Sequence, residues 1–369
     1  MERDGLKMGQ TSEWETLPLF HDLPMFNPVY RSIDDYPFED PFLMALNATT
    51  PIQRLKRIGF LGAIDYVRIG NGQQPHRRRH NRYDHSVGVT QLALRYSDIR
   101  ELSTQERRVL AAAGLLHDIG HGPLSHTLEP IFKDSFGINH HKAGMDILRG
   151  HSPFGNEIPK VMSEFGIDLD EVASMIEGTH TGSNAYLFAS PINLDTIEGI
   201  TRSRSFVKRW DAGGDARHIV EEIALSNSLP TRILDNFWAL KHEVYNLVIH
   251  NPWGLIFDGL AQAFMAHNID SFKADDFMKT EEQLRHKQPV LFHIFAWAKV
   301  SKRRAYHRVS SLVPDLLEYE LLAPQRSFEV DTSIQLDSVD ALNKRYKQHK
   351  EHRMMTIGKL IQTEKRAVA

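Results

Sequence analysis

The stretch Ala111 to His126, AAAGLLHDIGHGPLSH, constrains this chain more than any other. An apolar helical run ends in the adjacent pair His117-Asp118, and His121 and His126 follow around a Gly-Pro turn. Neighbouring side chains on a helix diverge by about 100°. A short imidazole and a short carboxylate can still converge on one ion lying between their directions. Such nitrogen and oxygen donors suit Fe, Mn, Zn, Ni or Co, and Mg where waters complete the shell. The chain has no cysteine and 20 histidines, so a transition-metal site here must be built from His and carboxylates.

The neighbouring segments supply further candidates. A helix beginning near Tyr83 places His85, Val89, Leu92 and Tyr96 on one face, which turns His85 inward. The next helix starts at Ser103, where Ser103 and Glu106 form a capping box. Val109, Ala113, Leu116 and Gly120 mark its buried face, so its last turn carries His117 and Asp118 into the interior. A buried Asp requires a partner or an ion. In SPINLDTIEGITRS, Ser190 and Pro191 read as N-cap and first helical residue, with Asp195 in the second turn.

His85, His117, Asp118 and Asp195 together resemble the ligand set of the HD-domain phosphohydrolases. The flanking motifs resemble the deoxynucleoside triphosphate triphosphohydrolase branch: NPVYRSI from Asn27, TPIQRLKRI from Thr50, HNRYDHSVGV from His80 and AGLLHDIGHGPLSH from Ala113. The likeness covers about residues 27–285. It implies a mainly α fold: an N-terminal arm (1–49), an HD core (50–205) and accessory helices with a small α/β portion (206–369). It implies one divalent ion on the four ligands and a nucleotide substrate, a dNTP split into deoxynucleoside and tripolyphosphate. His126 then corresponds to the proton donor, Glu129 to its orienting partner, and His121 and His141 to residues near the phosphates. Arg82 is expected on phosphate, and His80, Phe60 and Arg202 are expected along the substrate wall.

The substrate wall departs from the branch. The branch's Tyr and final Asp after the last ligand are replaced by Gly199 and Ser203, and Phe60 stands where relatives carry a Gln. The loop before His80 carries Arg77, Arg78 and Arg79, a run able to meet polyphosphate or single-stranded nucleic acid. These changes keep two alternatives open. One is an HD-type nuclease or a nucleoside mono- or diphosphate phosphatase; the other is a nucleotide-binding regulator without catalysis.

The 369 residues and 41% apolar content can furnish a sizeable core. A net charge of −3 gives no global attraction to nucleic acid. The opening MERDGLKMGQTSEWE has no apolar signal region, and no apolar run is long enough to span a bilayer. A cytoplasmic, membrane-free homo-oligomer is the expectation. Phe237, Trp238 and Tyr245 read as core or subunit interface, and NKRYKQHKEHRMM reads as a solvated face or an oligomer surface.

Overall fold

The computed structural model describes residues 38–67, 80–204, 216–226, 228–297 and 317–368. The arginine run 77–79, most of the Gly-rich turn RWDAGGDAR and the SKRRAYHRVSS segment lie outside the described residues.

The centre of the fold is a helix pair. Helix α3 (Arg82–Ile99) opens on Asn81, whose side chain caps the Asp84 amide. Helix α4 (Thr104–Leu116) opens on the Ser103–Glu106 capping box, a device worth about 1 kcal/mol. Gly114 on α4 lets the two backbones approach closely, since a Cβ there would lie 3.0 Å from the Cα of Thr90. Before this pair come two short helices, α1 (Pro41–Asn47) and α2 (Thr50–Arg54). The helix expected to run on from Thr50 tightens into a 3-10 turn at Leu55–Arg57 and ends at extended Ile58. DYVRI supplies no strand within the described residues. Gly62–Tyr66 forms a 3-10 turn instead.

After α4 the chain makes a sharp turn and enters α5 (Glu129–Phe136) and α6 (His140–Leu148), then α7 (Glu157–Glu164), α8 (Leu169–Ile176) and α9 (Tyr186–Ala189). Helix α10 (Leu194–Arg204) starts later than Ser190-Pro191 suggested. Ser190 closes α9, and Asn193 accepts from the Thr196 amide to begin α10, so Asp195 lies in its first turn. Next come α11 (Ala216–Leu225), α12 (Thr231–Val244), α13 (Pro252–His267), α14 (Glu281–Lys287) and α15 (Pro289–Trp297). Helix α12 runs directly into a π-helical turn at Tyr245–Ile249.

The chain finishes in the small mixed portion. Strand β1 (Glu320–Val330) pairs antiparallel with β2 (Tyr346–Thr356), with α16 (Val339–Arg345) between them and α17 (Ile357–Val368) after. The stretch read as a solvated C-terminal face therefore contributes a strand.

Two apolar cores hold these elements. One gathers α1, α3, α4, α8, α10, α11 and α12, with Trp238 and Phe237 fully inside. The other surrounds α13 and takes in the 62–66 turn, α5, α15, β1 and α17. The α4–α5 turn lies between the two cores, and Arg54 ties it to α2 by donating to the Ile119 carbonyl at 2.8 Å. Among the described residues no helix is long and apolar enough to cross a membrane.

Candidate metal centre

Three segments bring four candidate ligands close together: α3 brings His85, the end of α4 brings His117 and Asp118, and α10 brings Asp195. His85 Nε2 lies 3.0 Å from Asp195 Oδ1, 3.5 Å from Asp118 Oδ2 and 3.2 Å from His117 Nε2. His117 Nε2 lies 3.6 Å from both Asp118 Oδ1 and Asp195 Oδ1. His85 is fully buried, while the Asp195 side chain is 48% exposed and marks the open side.

The far ring nitrogens decide what these imidazoles can do. His117 Nδ1 donates to the Gly114 carbonyl at 2.9 Å, and His85 Nδ1 donates to Glu198 Oε2 at 2.5 Å. With each Nδ1 carrying its proton, the two neutral rings turn lone pairs toward each other. Two lone pairs 3.2 Å apart repel unless a cation lies between them. The donor set and its outer hydrogen bonds therefore fit a divalent ion. With protons alone, burial pushes the His85 imidazole down but is outweighed by the Glu198 charge and the Asp195 bond, which hold it up at about 9. Asp118 lies well below the usual carboxylate range, for His117 and Arg82 overcome its burial.

Glu198 comes from α10, one turn after Asp195. It reaches His85 because residue 88 of α3 is glycine: a Cβ there would lie 2.4 Å from Glu198 Oε1. Arg202 braces the other side of Glu198, with its Nε 2.9 Å from Oε1, and also donates to the Asp84 carbonyl at 2.8 Å. His80 meets Arg202 Nη1 at 3.1 Å. Arg202 and His80, expected on the substrate wall, thus stand one layer behind His85.

Arg82 and Phe60 face the centre. Arg82 donates to Asp118 Oδ2 at 2.7 Å and to Ser125 Oγ at 3.0 Å. The Phe60 ring lies 4.8 Å from the His85 ring, and the Arg82 guanidinium lies over it, 5.0 Å from its centroid. A Cβ on Gly199 would be in ordinary contact with His85 and with Phe60, which is itself buried.

A second histidine group adjoins the first. His121 Nε2 lies 3.2 Å from Asp118 Oδ1, and its ring stacks on His140 with centroids 4.3 Å apart. His140 Nδ1 donates to Glu129 Oε2 at 2.6 Å, and His126 Nδ1 lies 3.7 Å from the same oxygen. His126 stands at the cleft mouth with a 60% exposed side chain. Surrounding protein and the Arg82 charge hold its imidazole below the usual value, against the pull of Glu129. Burial would raise Glu129, but hydrogen bonds from His126 and His140 keep it strongly ionised. His121 is pushed far down by burial and by Arg82.

The turn presenting His126 is conformationally costly. Leu124 and Ser125 have φ of 60° and 45°, left-handed positions that side chains other than glycine's disfavour. Ser125 Oγ donates to the Gly59 carbonyl at 2.5 Å and accepts from Arg82, which holds the turn in place.

The side chains singled out in the sequence, His85, His117, Asp118, Asp195, His121, His126 and Glu129, lie near one another in the structure, and two further residues join them. His140 donates to Glu129, and the ring of its neighbour His141, expected near the phosphates, lies against that of His140 with centroids 4.0 Å apart. Glu198 is the other: its place three residues after Asp195 puts both on one helix face.

Residues 82–212 match the HD domain family model, a span containing His85, His117, Asp118, Asp195 and the second histidine group. The chain is 31% identical over 182 residues to the protein YwfO of Bacillus subtilis, covering 48% of this chain and 38% of that one. It is 34% identical over 180 residues to human deoxynucleoside triphosphate triphosphohydrolase SAMHD1, covering 45% and 27%. With the Dictyostelium discoideum homolog of that protein the identity is 25% over 278 residues, covering 66% and 48%. The chain spans less than half the length of these curated relatives. In fold it is similar to a hypothetical protein from Aquifex aeolicus, with a TM-score of 0.57 at 15% identity over 90% of this chain and 99% of that one. A phosphohydrolase from Bacteroides thetaiotaomicron gives 0.50 at 16% identity, covering 80% of each chain.

Proposed function

We propose that this chain is a metal-dependent phosphohydrolase acting on nucleotides, cleaving a dNTP into deoxynucleoside and tripolyphosphate; the match of residues 82–212 to the HD domain model and the grouping of His85, His117 and Asp118 support this reading. The observation that carries this reading is the pair of imidazole Nε2 atoms 3.2 Å apart, each with its other nitrogen tied down, beside two carboxylates. His85, His117, Asp118 and Asp195 would hold the ion. Once bound, a divalent cation there supplies Lewis acidity toward a phosphoryl oxygen and lowers the pKa of water.

The remaining steps belong to the chain's own side chains. Water adds to the α-phosphorus and gives up a proton to solvent, the bond from phosphorus to the 5′ oxygen breaks, that oxygen takes a proton from His126, and His126 regains one from solvent. Glu129, ionised and fixed by His140, faces His126 and favours its protonated form. An approaching polyanion works against the lowering that burial imposes on His126 and so favours its charged form. Arg82 neutralises charge beside Asp118 and offers paired donors toward phosphate. Phe60 and the space at Gly199 form an apolar wall where the sugar must lie. That wall gives specific support to a second substrate reading, a nuclease or a nucleoside mono- or diphosphate phosphatase on the same metal.

The test is product analysis by anion-exchange chromatography, with Mn²⁺, Fe²⁺, Mg²⁺, Co²⁺ and Ni²⁺ in turn against dNTPs, NTPs, dNMPs and single-stranded DNA. Tripolyphosphate with deoxynucleoside is the expected outcome. Orthophosphate or shortened oligonucleotides would transfer the centre to the second reading, and stoichiometric binding without turnover would overturn catalysis.

A further inference from the structure

Helix α13 is apolar along almost its whole length. Between Leu255 and Ala266 its polar side chains are Asp258 and Gln262, four residues apart and so on one face. Both reach the turn that presents His126. Asp258 Oδ1 accepts from the Thr127 hydroxyl at 2.5 Å, and Gln262 Nε2 donates to the Thr127 carbonyl at 3.0 Å. The same hydroxyl accepts from the Ala63 amide at 2.8 Å. Thr127 is thus held through its side chain and its main chain by α13, and through its hydroxyl by the 62–66 turn.

What this clamp holds is a strained piece of chain. The left-handed conformations of Leu124 and Ser125 persist only where the surroundings over-determine them. Here the surroundings do so from several sides. Leu124 and Leu128 sink into the core around α13. Gly62, at φ 64°, lies so close that a Cβ on it would be 2.4 Å from both the Leu124 carbonyl oxygen and Thr127 Oγ1. Leu124, Ser125, Thr127 and Leu128 are all buried, whereas the side chain of His126 between them is 60% exposed. A relaxation of the turn therefore moves His126 first, because its side chain has the least packing to oppose it. The carboxylate of the clamp works against the stability of an apolar helix, so packing alone gives no reason for its place.

We propose that Asp258 and Gln262 are positioning residues which, by gripping Thr127, fix the direction in which His126 presents its imidazole to the leaving oxygen. They act through the neighbouring residue of the turn and through the hydroxyl of Thr127, which is a positioning group itself. The proposal rests on the phosphohydrolase reading and deepens it. The span 82–212 contains the acid, and a helix outside that span sets its aim.

The test uses the full chain with Mn²⁺ and each of the four dNTPs in turn, with kcat and KM followed separately. Thr127→Val keeps the branched shape and removes the hydroxyl. It is expected to lower kcat by about tenfold to a hundredfold, less than His126→Asn does, with KM and metal content unchanged. Thr127→Ser retains the hydroxyl and Asp258→Asn retains an acceptor, so both are expected to stay near wild type. Asp258→Leu and Gln262→Met each withdraw one point of the clamp and are expected to follow Thr127→Val. The deciding comparison is made in the His126→Asn background, where Thr127→Val is expected to cause no further loss, since residues acting as a unit are not additive. A further fall in kcat there, a serine variant no better than the valine one, or wild-type kcat in Thr127→Val would each overturn the proposal. Nuclear magnetic resonance of histidine-labelled protein supplies a readout independent of turnover. The His126 imidazole signal, identified by its absence from His126→Asn, is expected to shift in Thr127→Val and to return in Thr127→Ser. Wild-type chain that hydrolyses no nucleotide while this signal moves would overturn the catalytic reading and leave the placement of His126 standing. Hydrolysis with an unmoved signal would do the reverse.

Discussion

Two groups of histidines lie side by side in this molecule, built from the same residue types, and they are wired in opposite ways. In the first, His85 and His117 each commit Nδ1 to a fixed acceptor and leave Nε2 for an ion. In the second, His121, His126 and His140 with Glu129 also bring ligand atoms within 4.8 Å of one another. There, however, the short bond from His140 to Glu129 and the contact of His121 with Asp118 bind the donors to each other. On the proposed reading, a metal centre and a proton-carrying group differ in which ring nitrogen is occupied, and by what.

The sharpest test of that difference is metal content. His117→Ala is expected to take the chain from one bound ion to none by elemental analysis, with hydrolysis falling to the assay background. Two ions per wild-type chain would erase the distinction. The complementary substitution, His126→Asn, is expected to retain the ion and lower kcat by about 10²–10⁴-fold, the usual contribution of a positioned acid. Loss of the ion in that variant would show that the second group is also a ligand set.

A smaller effect probes the wiring itself. Glu198→Gln keeps the shape but withdraws the charge behind His85 and breaks the link to Arg202. Metal affinity or activity is expected to drop by about 10–100-fold, with the second group untouched. A metal affinity equal to that of wild type would remove Glu198 from the centre.

The smallest effect concerns how the second group is moored. Thr127, next to His126, donates to Asp258 of α13 at 2.5 Å, and burial raises the Asp258 carboxyl to about 7. The folded chain then keeps a proton that the unfolded chain releases near 3.8, so stability is lost as pH rises between these values. Above about 7 the full cost is present. Asp258→Asn is therefore expected to raise the melting temperature by a few degrees at pH 8 and to change little near pH 4. An equal shift at both pH values would assign the effect to packing instead of ionisation.

How much of this was legible beforehand followed from burial and periodicity. His85 and the His117-Asp118 pair were visible because their helices carry clear inward faces and an acidic group at the end of an apolar run demands a partner. The start of α10 was misplaced because Ser190-Pro191 looks like a helix opening, whereas Asn193 provides the cap. Glu198 escaped because its role depends on the gap left by Gly88, an inter-helix fact that neither helix shows alone. His140 and His141 are adjacent and chemically identical, so only packing separates them. Strand β2 was hidden for another reason. Almost every residue along it is exposed, and without a buried face it has no alternation to read.

The approach of Gly120 to helix α6 has one more consequence. A Cβ at this position would lie 2.0 Å from the His140 carbonyl oxygen and 2.3 Å from the Gly144 nitrogen, so main chain touches main chain. The separation of the ion-holding and proton-carrying groups is accordingly set by backbone, and side-chain exchanges in either group leave it alone. For an engineer this makes the two halves interchangeable fittings on one chassis. The acid at 126 and its partners could be rewritten for a different leaving group while the ion stays where it is, provided residue 120 remains a glycine.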